Sequence, residues 1–180
     1  AAARLSVSDP TAVDAVHRLG RRLSWHGGLT CDYFADDLGR NRFIECNPRT
    51  TEPGNAAEAG VNLPLLSIAL ATGGRLPRTP LIARAGVRTR STVALALGAA
   101  ERRGSRRAVL RSLERALRRR PPLQGSREVL TPVGGDPLSL APALVVVGSL
   151  LARPRSVTAL ADSAVSAYAV TPRIIDRLRS

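Results

Sequence analysis

Gly28-Leu29-Thr30-Cys31-Asp32-Tyr33-Phe34-Ala35-Asp36-Asp37-Leu38-Gly39-Arg40-Asn41-Arg42-Phe43-Ile44-Glu45-Cys46-Asn47-Pro48-Arg49 has the pattern of a β-hairpin. Leu29 to Phe34 and Arg42 to Cys46 read as strands, and Ala35 to Arg40 carries the Asp and Gly chemistry of a turn. Asn47-Pro48 closes the second strand. Side chains alternate along a strand, so Glu45 and Asn47 share a face and Cys46 points away from it. A turn centred between Leu38 and Gly39 sets Asp32 across from Glu45 and Phe34 across from Phe43. Loops of two or four residues give that register; loops of three or five lose it unless a bulge compensates. In the favourable register two carboxylates and an amide oxygen converge at one end of the hairpin.

Such a hard-oxygen set suits Mg²⁺ or Mn²⁺; a zinc site calls for His and Cys. Mg²⁺ keeps part of its water and is commonly completed by substrate phosphates. Arg49, two residues past Asn47, projects nearby, and its guanidinium can clamp a phosphate or carboxylate in bidentate fashion. A carboxylate pair on a hairpin is more often a solvated surface than a metal site, so the pattern alone is weak and leaves both readings open.

The word Glu45-Cys46-Asn47-Pro48-Arg49, with Asp32 upstream, resembles the metal-binding hairpin of ATP-grasp enzymes. In that family an Asp or Glu on one strand and Glu-x-Asn on the next hold two Mg²⁺ ions against the ATP phosphates. An Arg two residues beyond the Asn often reaches the substrate or the transferring phosphate. The loop Thr50-Thr51-Glu52-Pro53 and the helix start Gly60-Val61-Asn62-Leu63 look like the carboxylase and carbamoyl-phosphate branch, and the resemblance spans residues 10–75. It implies Asp32, Glu45 and Asn47 as Mg²⁺ (or Mn²⁺) ligands and Arg49 as the catalytic or substrate-orienting cation. It also implies ATP as co-substrate, and a small carboxylate or bicarbonate activated as an acyl phosphate for attack by a nucleophile. Glu52 stands one position off the pattern of biotin carboxylases.

The chain departs from the family in one large respect. ATP-grasp enzymes close two subdomains on ATP, and the earlier one supplies Lys residues, a Gly-rich flap and the adenine-binding hinge. Here there is no Lys and no such flap. The expectation is therefore a C-terminal part of an ATP-grasp domain over residues 1–78, a fragment inactive alone, whose missing N-terminal part is its partner. Ala1-Ala2-Ala3, without Met, fits a truncated reading frame.

Outward from the hairpin, Asp9-Pro10 starts a helix, with Asp as N-cap and Pro in the first position. Val13, Val16, Leu19 and Leu23 recur at helical spacing until His26-Gly27-Gly28 ends the run. Trp25 reads as core packing and His17 as structural; His26, entering the first strand, could reach the site, which is the less common outcome for such a residue. Residues 49–60 read as a loop, Leu63 to Thr72 as a short helix ended by Gly73-Gly74, and Arg75 to Pro80 as a connector. Residues 91–120 read as a helix broken at Gly104-Ser105. Val109, Leu110, Leu113, Ala116 and Leu117 form its apolar stripe, and Arg fills the other face. After Pro121-Pro122 come a loop or short strand over 123–136, a buried helix within 138–152 and a last helix around 156–169. The class is α+β: an antiparallel hairpin with flanking helices over 1–78, then an Arg-rich, mainly helical extension over 79–180.

The chain has 180 residues and a net charge of +13, all of its 27 basic residues being Arg. At 44% hydrophobic content it is too apolar for a disordered chain. Residues 1–74 carry seven Arg against eight acids, while residues 75–120 carry fourteen Arg against Glu101 and Glu114. The surplus therefore lies in the extension. It suits nucleic acid, and it also suits GC-rich codon usage. The rival function is a basic nucleic-acid-binding or interaction module built on the Arg-rich helix, though no aromatics stand there to stack bases. Leu138 to Ala152 is too short to span a bilayer and is interrupted by Pro142 and Gly148. Ala1 to Asp14 has no apolar signal-peptide region. Cys31 and Cys46 read as reduced, buried thiols, which favours a cytoplasmic setting. Nucleophile-elbow and Walker motifs are absent.

Overall fold

The computed structural model describes residues 2–129, 131 and 135–158. Among them the chain is α+β, with six α-helices, a two-stranded sheet and a three-stranded sheet. It divides into two compact units, Arg4–Thr89 and the rest of the described chain.

In the first unit, α1 (Pro10–Arg22) begins as the sequence predicts, the Asp9 side chain accepting the Ala12 N–H at 2.9 Å. It ends at Leu23, a few residues before the His26-Gly27-Gly28 stop. The two strands are β2 (Thr30–Ala35) and β3 (Asn41–Asn47). Asp36 organises the turn between them. Its carboxylate accepts the backbone N–H groups of Leu38 and Arg40, and the Nε–H groups of Arg40 and Arg42. These bonds, the Arg40 backbone N–H first, hold the Asp36 carboxyl below the usual carboxylate range.

The register is Ala35↔Asn41, Phe34↔Arg42 and Tyr33↔Phe43, then Asp32↔Glu45, Cys31↔Cys46 and Thr30↔Asn47. The turn is thus one residue longer than the even loop that would pair Phe34 with Phe43. Tyr33 faces Phe43 instead, with ring centroids 5.3 Å apart. A bulge that leaves Ile44 unpaired then restores the parity, and Asp32 arrives opposite Glu45. Asp9 ties α1 to the hairpin, accepting from Tyr33 Oη–H at 2.8 Å and from Asn41 Nδ2–H at 3.0 Å. The Ala12 N–H, followed by the Tyr33 hydroxyl, lowers the Asp9 pKa; burial and the Asp9 bond raise that of Tyr33.

Residues 53–58, read as loop, form α2 (Pro53–Glu58). Next comes α3 (Leu63–Ala71), where Asn62 Oδ1 accepts the Leu65 N–H at 3.0 Å. Only Ala12, Ala59 and Val61 among the apolar side chains of this unit are buried. Trp25, expected in the core, is 39% exposed.

The strands β1 (Ala3–Leu5), β4 (Arg88–Arg90) and β5 (Arg127–Glu128) form the second sheet, in the order β1-β4-β5. The second unit is mainly helical: α4 (Thr92–Arg103), α5 (Arg106–Leu117) and α6 (Leu140–Ala152). The break between α4 and α5 falls at Gly104-Ser105. Gly104 takes φ +55° as the cap of α4, and Ser105 Oγ accepts the Ala108 N–H to start α5. Ala96, Ala100, Val109, Leu150 and Val157 form its core. The α5 stripe is narrower than the sequence suggests. Val109 and Ala116 point inward, whereas Leu110 and Leu117 are 53% and 77% exposed. Likewise α6 is packed on one side only: Leu150 is buried while Leu144 and Val145 face out. The helix expected around 156–169 lies largely outside the described residues.

Candidate functional site

Asp32, Glu45, Asn47 and Arg49, separated by up to 17 positions in sequence, line one cleft of about 640 Å³ in the first unit. The strands bring the acids together. Asp32 and Glu45 are direct cross-strand partners, and Asn47 follows two positions on, opposite Thr30. Partners of this kind have Cβ atoms about 4.5–5.5 Å apart. Both carboxylates are exposed and Asn47 is half-buried. Like charges directly opposite one another repel, so the pair carries a cost that a cation between them would remove.

Arg49 is positioned through its backbone. Its N–H donates to the Asn47 carbonyl at 2.8 Å, and its carbonyl accepts from Thr30 Oγ1–H at 2.9 Å. The Arg49–Thr50 loop also lies tight against Gly28. A Cβ on Gly28 would stand 2.9 Å from both the Thr50 N and Cγ2 atoms. Gly28→Ala is accordingly expected to push this loop away and cost about 1–3 kcal/mol. Denaturant unfolding compared with Gly20→Ala, where nothing stands within 4 Å, checks it; equal losses would contradict it.

Two lining residues were not anticipated. Arg4, from β1, pairs with Glu52, whose carboxylate also accepts from Asn55 Nδ2–H at 2.7 Å. Asn55 Oδ1 in turn accepts from Thr89 Oγ1–H at 2.5 Å. Glu52 adopts φ +45°, a left-handed conformation unusual for a residue with a side chain, just ahead of α2. Pro53 in the first helical position is the available signal for α2. No local pattern could link Arg4 to Glu52, 48 residues away. Glu52 is thus engaged as a structural anchor, and the Asp32–Glu45 pair is left with Arg49 as the other guanidinium of the cleft. His26 is not among the lining residues.

Among the described residues no three His, Cys, Asp or Glu side chains are grouped to hold a metal. A cation in the cleft would rest on two carboxylates and an amide oxygen, with water completing its shell. That donor set is hard and oxygen-only, which fits Mg²⁺ or Mn²⁺.

The cysteines differ from their expected burial. Cys31 is half-buried and Cys46 exposed. Their sulfur atoms lie 3.1 Å apart. Burial, then the neighbouring Cys46 thiol, pushes the Cys31 pKa up to about 11.

In the second unit Arg102, Arg103, Arg111 and Arg115 line a smaller cleft of about 200 Å³ between α4 and α5, with no acidic side chain in its wall. Among the described residues no helix is long and apolar enough to cross a membrane.

No family model, curated protein or solved structure matches the chain.

Proposed function

We propose that Arg4–Thr89 is the metal-holding part of an ATP-grasp ligase, with Asp32, Glu45 and Asn47 as ligands of Mg²⁺ or Mn²⁺ and Arg49 as the cation that orients the reacting group. The observation that carries the proposal is the direct pairing of Asp32 with Glu45, in a cleft that also takes in Asn47 and Arg49. Supporting it is the residue pattern of the hairpin, which resembles that family over strand order, spacing and the helix that follows. When bound, the metal would screen phosphate charge and so favour approach of a nucleophile to phosphorus. Asp32 and Glu45 would hold it from opposite strands. Arg49, fixed at its backbone, would present a fork to a phosphate or carboxylate oxygen. The reaction class is activation of a small carboxylate or bicarbonate as an acyl phosphate, with ATP as donor. A cytoplasmic setting goes with that co-substrate.

Phosphoryl transfer also needs cations on the far side of the phosphates. The 180 residues hold no Lys to supply them, so the proposal assigns that role to a second jaw contributed by a partner. Nucleotide binding by the chain alone should then be weak, roughly millimolar, and dependent on Mn²⁺. Titration calorimetry with ATP, with and without Mn²⁺, tests this. Arg49→Ala is expected to weaken Mn²⁺-ATP about tenfold, the loss of one charged contact of about 1.4 kcal/mol, while leaving Mn²⁺ alone unaffected. ATP binding that ignores Mn²⁺ would overturn the proposal.

The Arg-lined cleft between α4 and α5 favours a second reading, a basic nucleic-acid-binding module. That reading requires retention of DNA or RNA falling steeply with salt. Absence of retardation at low salt would remove it.

A further inference from the structure

We propose that Cys31 and Cys46 form a redox-active dithiol that small-molecule disulfides convert to an intramolecular cross-strand disulfide. The two residues are direct partners in the β2–β3 ladder, and their sulfur atoms are 3.1 Å apart. Opposed residues of an antiparallel pair have Cα atoms about 4.5–5.5 Å apart, inside the range of about 4.4–6.8 Å that a disulfide spans. The sulfurs need to close by only about 1 Å to reach the bond length of about 2.05 Å, a movement within the reach of side-chain torsions.

The surroundings set the order of events. Cys46 is exposed and Cys31 half-buried, so an incoming disulfide RS–SR meets Cys46 first. The Cys46 thiolate attacks one sulfur of RS–SR, the S–S bond breaks, and RS⁻ leaves. The Cys31 thiolate then attacks Cys46 Sγ in the mixed disulfide and expels the second RS⁻. The protein gives up two protons and two electrons, which the small disulfide takes up to become two thiols. Alternation along the strands puts both sulfurs on the face opposite Asp32 and Glu45, and neither cysteine lines the carboxylate cleft. The chemistry therefore does not depend on metal binding. Its product would pin β2 to β3 beside the bulge that sets Asp32 against Glu45. In a cytoplasm such a bond would be transient, as sensing disulfides are.

Oxidised glutathione, added to the full chain with mass analysis and free-thiol counting over time, is the test. The expected product has lost two hydrogens, carries no glutathione and has no free thiol. Cys31→Ser should instead keep glutathione on Cys46, with a mixed disulfide at least tenfold longer-lived than in the unaltered chain. A long-lived adduct on the unaltered chain, as stable as that of Cys31→Ser, would overturn the proposal. So would two thiols that stay free while Cys31→Ser is readily modified. Dithiothreitol reversal of the two-hydrogen loss confirms the bond.

Discussion

Leu150→Ala is expected to destabilise the second unit by about 2–5 kcal/mol, the usual range for removing a fully buried leucine. Leu150 has no exposed surface and packs with Ala96, Ala100, Val109 and Val157. Two of these neighbours are alanine, too small to close over a missing isobutyl group, so the cavity should persist and the loss should fall in the upper part of the range. Leu144→Ala, on the exposed side of the same helix at 64% exposure, should change stability by no more than about 0.5 kcal/mol. Urea unfolding of both variants followed by hydrogen exchange locates the loss in α4, α5 and α6. Equal destabilisation by the two substitutions would mean that α6 is not anchored through Leu150.

Asp32→Asn should have effects of opposite sign with and without metal. Without metal it removes one of two like charges placed opposite each other, and the chain should become more stable by about 0.2–1 kcal/mol. With Mn²⁺ present, the unaltered chain gains stability in proportion to metal bound. The variant, left with one carboxylate, should lose at least tenfold in affinity, about 1.4 kcal/mol, and most of that gain. Glu45→Gln should behave alike, being the other half of the pair. A surface carboxylate pair with no metal role would show the first effect and not the second, which separates the two readings that the sequence leaves open.

The part of the site that was legible in the sequence is the part carried by alternation. Glu45 and Asn47 fall two apart in one strand, and that alone aligns them; Arg49 lies beyond the end of β3 and is placed by its backbone bonds to Asn47 and Thr30. The opposition of Asp32 and Glu45 depended on parity, which sequence could only state as a condition. The chain meets it through a five-residue turn organised by Asp36 and a compensating bulge at Ile44, neither of which leaves a mark in hydrophobic pattern. The aromatic pair shifted to Tyr33 and Phe43 for the same reason. Arg4 was invisible because its partner, Glu52, is brought to it by tertiary structure. The start of α1 was legible in Asp9-Pro10, and Asn62, Ser91 and Ser105 cap their helices in the same way, whereas the start of α2 was read as loop. Burial was the hardest to read. Trp25, Cys46, Leu117 and Leu144 are apolar or soft side chains that one would place inside, and each is exposed.

Manganese itself gives the most direct test, because the free aqueous ion has a sharp six-line paramagnetic resonance signal that binding broadens. Titrating the full chain into Mn²⁺ should quench that signal to a saturating stoichiometry, and excess Mg²⁺ should restore it. The chain carrying both Asp32→Asn and Glu45→Gln should leave it undiminished. Quenching that is the same in the unaltered chain and the double variant, or no quenching in either, would contradict a divalent-cation site on the hairpin.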